Sequence, residues 1–112
     1  MTEISWNDFT RVELRVGKIL SAEEFPEARQ DAYKLLVDFG AEIGTKKSSA
    51  QITGLYSVEE LPGKLVVAVV NFPAKQIGPF SSECLVTGFH DEDGRVALCV
   101  PEKYVPLGTK LL

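Results

Sequence analysis

The sequence predicts an all-β protein: a five-stranded Greek-key barrel with a short helix between strands 3 and 4 and short terminal extensions. Three observations carry this expectation. Apolar residues alternate with polar ones along most runs, a period of two rather than 3.6. Nine glycines and six prolines punctuate the chain into short segments. The only interior segment with helix-start chemistry lies between the third and fourth runs. At 112 residues, 45% hydrophobic and 25% charged, a single domain over residues 1–112 can bury enough core to fold without disulfides or metal.

The first element is a helical turn at about residues 5–10. Ser5 can cap it, Asp8 follows in capping-box spacing, and Trp6 and Phe9 share a face. The barrel runs from about residue 12 to about residue 100. Val12, Leu14 and Val16 alternate, but Ile19 and Leu20 break the phase. That slip predicts a β-bulge at Gly17 or Lys18 and a strand bent enough to serve two sides of a barrel. Leu35, Val37 and Phe39 alternate strictly in strand 2. Lys46 to Ile52 form a polar strand 3, whose small Ser48, Ser49 and Ala50 suit a face approached by another backbone or a ligand. Ser57 and Glu60 repeat the capping-box spacing, and Pro62-Gly63 stops the short helix they open. Leu65 to Val70 is continuous and valine-rich, the pattern of a strand covered on both faces. Asn71 to Glu83 reads as a long structured loop. Leu85 to Phe89 and Val96 to Val100 form a last hairpin around His90 to Gly94, and residues from about 101 to 112 are an apolar extension. This element order is that of the oligonucleotide/oligosaccharide-binding barrel.

Twelve basic against sixteen acidic side chains give a net charge of −4, spread evenly over the two halves. That is the wrong sign for holding nucleic acid by bulk electrostatics, so any such site must be a local patch. The longest apolar run is six residues, Leu65 to Val70, against about 20 for a membrane-spanning helix. The N-terminus has no basic region followed by an apolar stretch, which predicts a cytoplasmic protein. Cys84 and Cys99 lie in apolar β runs and read as small buried hydrophobes. His90 is the only histidine, set in a turn beside Asp91, Glu92 and Asp93, and those carboxylates lack the spacing of a calcium loop. We expect no enzyme activity, no cofactor and no metal.

The runs Val12 to Ile19, Tyr33 to Gly40, Ser48 to Ile52, Val69 to Pro73 and Ser82-Glu83 together resemble the tRNA-binding-domain family, and within it the CsaA-type protein-export chaperones. The resemblance covers nearly the whole chain, in order and with matching spacing. It implies a non-enzymatic homodimer of OB-fold subunits that binds unfolded precursor polypeptides, the alternative being tRNA or another structured RNA. Asn71, Ile77 and Ser82 match family positions. The chain departs from the family where Ala74-Lys75-Gln76 replaces a more basic run, where Pro79 replaces a glycine, and at Cys84-Leu85. One cation remains in that loop.

Three sets of candidate residues follow. Phe72, Ile77 and Phe80, held apart by Pro73 and Pro79, form a pre-ordered apolar surface suited to polypeptide; the same side chains could instead plug the barrel end. Lys34, Lys46, Lys47 and Lys75, with Asn71 and Ser82, are the candidate RNA contacts, although lysines at strand edges also discourage aggregation. Trp6, Phe9, Val105, Leu107, Leu111 and Leu112 are the candidate dimer interface, or a cap on the subunit's own barrel.

Overall fold

An 11-residue strand, β1 (Leu14–Glu24), organises the fold. The computed structural model describes residues 1–112. Before β1 lies α1 (Trp6–Thr10); after it come β2 (Tyr33–Asp38), β3 (Thr45–Ala50), β4 (Leu65–Val69), β5 (Lys75–Ile77), β6 (Phe80–Ser82), β7 (Leu85–Val86), β8 (Gly88–His90) and β9 (Val96–Leu98). The main sheet is antiparallel, in the order β3-β2-β1-β4-β7, with β5–β6 and β8–β9 as separate hairpins. The first half of β1, Leu14 to Lys18, pairs with β4, and the second half, Lys18 to Glu24, pairs with β2. One bent strand thus belongs to two sides of a nearly closed five-stranded barrel.

The bulge that permits the bend falls at Leu20, between the pairs Ile19–Val37 and Ser21–Leu36, and not at Gly17 or Lys18. Gly17 has a different task. A Cβ there would lie 2.6 Å from Val37 Cγ1 and 2.7 Å from Phe39 Cε1, so only glycine lets β2's inward side chains cross the strand. Gly17→Ala is expected to cost about 1–3 kcal/mol by overpacking, a fall of roughly 5–15 °C in melting temperature. Thermal denaturation followed by circular dichroism checks it.

Tyr33, Leu35 and Val37 point inward, as the alternation predicts, and pack with Ile19, Phe39, Ile52 and Val66. Val66 to Val69 are all buried, matching the expectation of a strand covered on both faces. The predicted helix at Ser57 to Glu60 is instead a single turn. Ser57 N still donates to Glu60 Oε1 (2.8 Å), but Pro62 and Gly63 end the segment before a second turn can form. The turn inserts Leu61, fully buried, into the core. At the N-terminus both halves of the Ser5–Asp8 capping box are present.

Side chains help to close the barrel. Ser48 Oγ donates to Cys84 O (3.0 Å), Ser49 N to Ser82 Oγ (3.0 Å), and Lys47 N to Glu83 Oε1 (2.9 Å), while Glu83 N donates to Lys47 O (2.7 Å). The small residues of strand 3 are therefore approached by another backbone. The C-terminal tail covers the other open edge, with Gly108 N and Leu111 N donating to Val16 O and Leu14 O, and Val16 N to Thr109 O. Glu13 locks this arrangement, accepting from Arg15 Nη2 at 2.7 Å and Lys110 Nζ at 2.9 Å. Lys110, then Arg15, hold the Glu13 carboxyl below its ordinary value of 4.5. A lowered folded pKa means that this contribution is present above pH 4.5 and is lost as pH falls through the lower folded value.

Candidate functional site

The loop expected from Asn71 to Glu83 is mostly a hairpin. Its turn places Gly78 at φ +55 followed by Pro79, the glycine-first pattern of a tight two-residue connection, and the ladder needs no N–H from the proline. The hairpin is latched to the barrel through Phe80. That ring meets buried Phe25 edge-on at 5.3 Å, with Lys47 Nζ 5.3 Å from its centroid and Lys34 Nζ 5.6 Å from that of Phe25. Each cation–ring contact contributes on the order of 1 kcal/mol at such partly buried sites.

Beneath the hairpin lies a concavity of about 430 Å³. Phe72, Pro73, Ile77 and Leu85 form its apolar wall, Cys84 its floor, and Ser49, Gln51, Lys75 and Ser82 its polar rim. A second hollow, also about 430 Å³, shares Ser49, Gln51, Lys75 and Ile77 and runs along β5 to Glu27, Ala28, Arg29 and Gln30. The two hollows adjoin along these four shared residues.

Cys84 offers this groove no reactive thiol. Burial pushes its pKa up to about 11, against smaller opposing effects from Ser48 and Lys46. About one part in a thousand would be thiolate at pH 8, and the thiolate is the nucleophile. Iodoacetamide should therefore leave Cys84 unlabelled in the native protein and label it readily in denaturant, as peptide mass spectrometry would report.

Of the residues expected to meet polypeptide, Phe72 is 56% exposed and Ile77 half-buried, both in the groove. Phe80 does not line it, because it is the latch. The candidate RNA residues divide between the groove and the rings beside it. Lys34 and Lys47 lie over rings, Lys34 also 3.8 Å from Glu23, and only Lys75 and Ser82 line the groove. Lys46 lies on β3 next to Lys47. The Asn71 side chain is spent within the chain: its Oδ1 accepts from Glu13 N (3.0 Å) and its Nδ2 donates to Arg11 O (2.8 Å), pinning the root of the hairpin to the segment joining α1 and β1. Sequence reasoning missed Leu85, Gln51 and Arg29, each of which borders the groove without any periodic signal. The acidic turn is also engaged internally. Partial burial pushes the Asp91 carboxyl up, but hydrogen bonds from Arg95 and Asp93 outweigh it and hold it low.

The candidate interface residues divide as well. Val105 and Leu111 line an outer apolar recess of about 250 Å³ with Leu14, Val67, Val100 and Pro101. Trp6 is 70% exposed, its ring tilted against that of Phe9 with centroids 5.6 Å apart, and Lys110 Nζ ties Thr10 O at the end of α1 to the tail. Leu112 is exposed. Leu107 differs: its carbonyl lies 3.0 Å from the position of a Cβ at Gly40, so it packs on the subunit's own barrel.

A family model described as a putative tRNA binding domain matches residues 14–110. The chain belongs to that family. Crystal structures of the chaperone CsaA from Bacillus anthracis and from Picrophilus torridus are each 48% identical to it, with TM-scores of 0.92 and 0.91. The alignments cover 99% and 98% of this chain and 100% of each CsaA chain. The structure of a MetRS related protein from Pyrococcus horikoshii, 28% identical, matches with a TM-score of 0.86 over the full length of both chains. Among curated relatives, the methionine–tRNA ligase of Methanococcus aeolicus is 42% identical over 112 residues, which is 99% of this chain and 16% of the ligase. The chain spans about one-sixth of the length of such ligases. This tRNA-binding-domain protein therefore has the barrel of its family, and no helix in it is long and apolar enough to cross a membrane.

Proposed function

We propose that this chain acts as a non-enzymatic, dimeric, cytoplasmic chaperone of the CsaA kind, holding apolar segments of unfolded precursor polypeptides during protein export. The observation that carries the proposal is the groove. Its wall of Phe72, Pro73, Ile77 and Leu85 is apolar, and its inner part carries a single charge, Lys75. A non-native chain gains about 25 cal/mol for each Å² of apolar surface buried there. Likeness to CsaA over full length supports the same conclusion. In a dimer two grooves act on one long client, and linking two weak sites raises avidity by orders of magnitude without new contacts. The outer recess around Val105 and Leu111 is the face proposed for the dimer.

The second reading is tRNA binding. The family model and the likeness to methionine–tRNA ligases favour it. The deciding experiment titrates the purified protein with an unfolded precursor protein and with tRNA side by side. Tight precursor binding that survives salt is the expected result. Any tRNA binding should weaken with salt on a shallow log–log slope of about two to four, because few lysines are placed to meet phosphate. Lys46→Glu with Lys75→Glu should abolish it. Tight tRNA binding with no affinity for the precursor would reverse the assignment.

A further inference from the structure

We propose that β5 receives its client by strand addition: an extended polypeptide segment pairs with the open edge of β5 through the main chain of Gln76. This rests on the polypeptide assignment above and specifies its geometry. The hairpin's register fixes which backbone groups are available. Ile77 pairs with Phe80 directly across a two-residue turn, so these two exchange both ladder hydrogen bonds, and Lys75 and Ser82 form the next such pair. Gln76 sits between them opposite Ser81, in the wide pair, where both strands turn their N–H and C=O outward. On β6 the outward side meets β3, which packs against it and whose Ser49 N donates to the Ser82 side-chain Oγ. On β5 it meets the second hollow, bounded across the gap by Glu27 to Gln30. No other backbone group of the chain pairs with Gln76 across this edge.

Two of the neighbouring margins are closed. β3 is covered by Ser82 to Cys84, and the first half of β1 by the C-terminal tail. Unpaired main-chain donors and acceptors on a strand edge recognise another extended main chain, whatever its side chains. That is the chemistry a protein with many clients requires. Side chains then set register. A residue placed opposite Gln76 shares its exposed face, and its neighbours share the face of Lys75 and Ile77, which looks into the groove at Ser49 and Gln51. Arg29 and Lys75 border the edge without an ionic partner, against one carboxylate, Glu27. The charge balance therefore favours a segment with apolar residues toward the groove and acidic residues outward.

The test uses a fluorescent, end-blocked peptide of alternating Val and Glu, with two N-methylated twins. Valine fills the groove, so glutamate stands opposite Gln76, and its N–H and C=O meet β5. Methylating the glutamate amides should weaken binding about tenfold or more, whereas methylating the valine amides should leave it nearly unchanged. In the protein, Gln76→Pro removes the outward N–H together with the side-chain bond to Gly78 O, the latter lost equally in Gln76→Ala; an edge strand tolerates proline there, so Gln76→Pro should lose the peptide to a similar degree and melt as Gln76→Ala does. Gln76→Ala keeps the N–H and should bind normally. Exchange of the Gln76 amide should slow in the complex, as NMR of the full chain would show. Equal binding of all three peptides, or full binding by a folded Gln76→Pro variant, overturns strand addition and leaves the groove intact. Failure of the parent peptide while an unfolded precursor still binds also overturns it; failure of both removes the polypeptide assignment itself.

Discussion

Replacing Phe72 and Ile77 together by serine is expected to abolish suppression of precursor aggregation while leaving the barrel folded. Both side chains line the groove, and Phe72 already exposes more than half its surface, so the folded state loses little when that ring is removed. A bound client would cover the remaining area. Completing the burial of two such side chains contributes on the order of 1–2 kcal/mol each, so affinity should fall about 30- to 700-fold per groove. Phe80→Ser supplies the contrast. Its ring packs on buried Phe25 and carries Lys47, so its loss should lower the melting temperature markedly and unlatch the hairpin. Aggregation assays read beside thermal melts separate the two cases. Full suppression by a folded Phe72→Ser, Ile77→Ser variant would move the client site off the groove.

The contrast between Phe72 and Phe80 marks where sequence reasoning reaches its limit. Alternation located the barrel strands because half-burial imposes a period of two on any strand. Tyr33, Leu35 and Val37 are inward for that reason, and Val66 to Val69 are buried because a β-sheet has only two faces and both are covered here. The capping box at Ser5 was legible because two side chains three residues apart satisfy each other locally. The same spacing at Ser57 opened only a turn, since proline and glycine five and six residues on removed the length a helix needs. The bulge was legible as a phase slip but displaced, because periodicity shows that a residue is extra without showing which one leaves the ladder.

Long-range partners left weaker traces. Asn71 matches a family position, yet its amide reaches back 58 and 60 residues to Glu13 N and Arg11 O, a task that no local pattern reveals. Lys34 and Lys47 read as cations open to a ligand, whereas the fold sets them over Phe25 and Phe80. Whether an aromatic ring in a proline-rich segment faces outward depends on a partner elsewhere in the chain, here Phe25. Leu107 was grouped with the apolar tail for the same reason. Its neighbours Gly108 to Leu111 prove to be hydrogen-bonded to β1, so cutting off residues 107–112 would unpick the barrel as well as any interface.

Point substitutions in the outer recess avoid that difficulty, and Val105→Asp with Leu111→Glu is expected to convert a dimer into a folded monomer. The backbone bond from Leu111 N to Leu14 O is untouched by a change of side chain. In a two-fold interface each residue occurs twice, so two substitutions place four carboxylates in one apolar contact, some facing their own symmetry copies. Burying an uncompensated charge costs several kcal/mol. With about 3 kcal/mol for each subunit, the dissociation constant should rise by a factor of about 10⁴. Light scattering at about 10 μM should then fall from twice 12.3 kDa to 12.3 kDa with the circular dichroism spectrum kept. Cys99 supplies an independent readout, because it lines the same recess and a dimer should shield it from iodoacetamide, whereas the variant should leave it open. An intact protein that is already monomeric at this concentration would remove the two-groove avidity from the mechanism and leave each groove to hold its client alone.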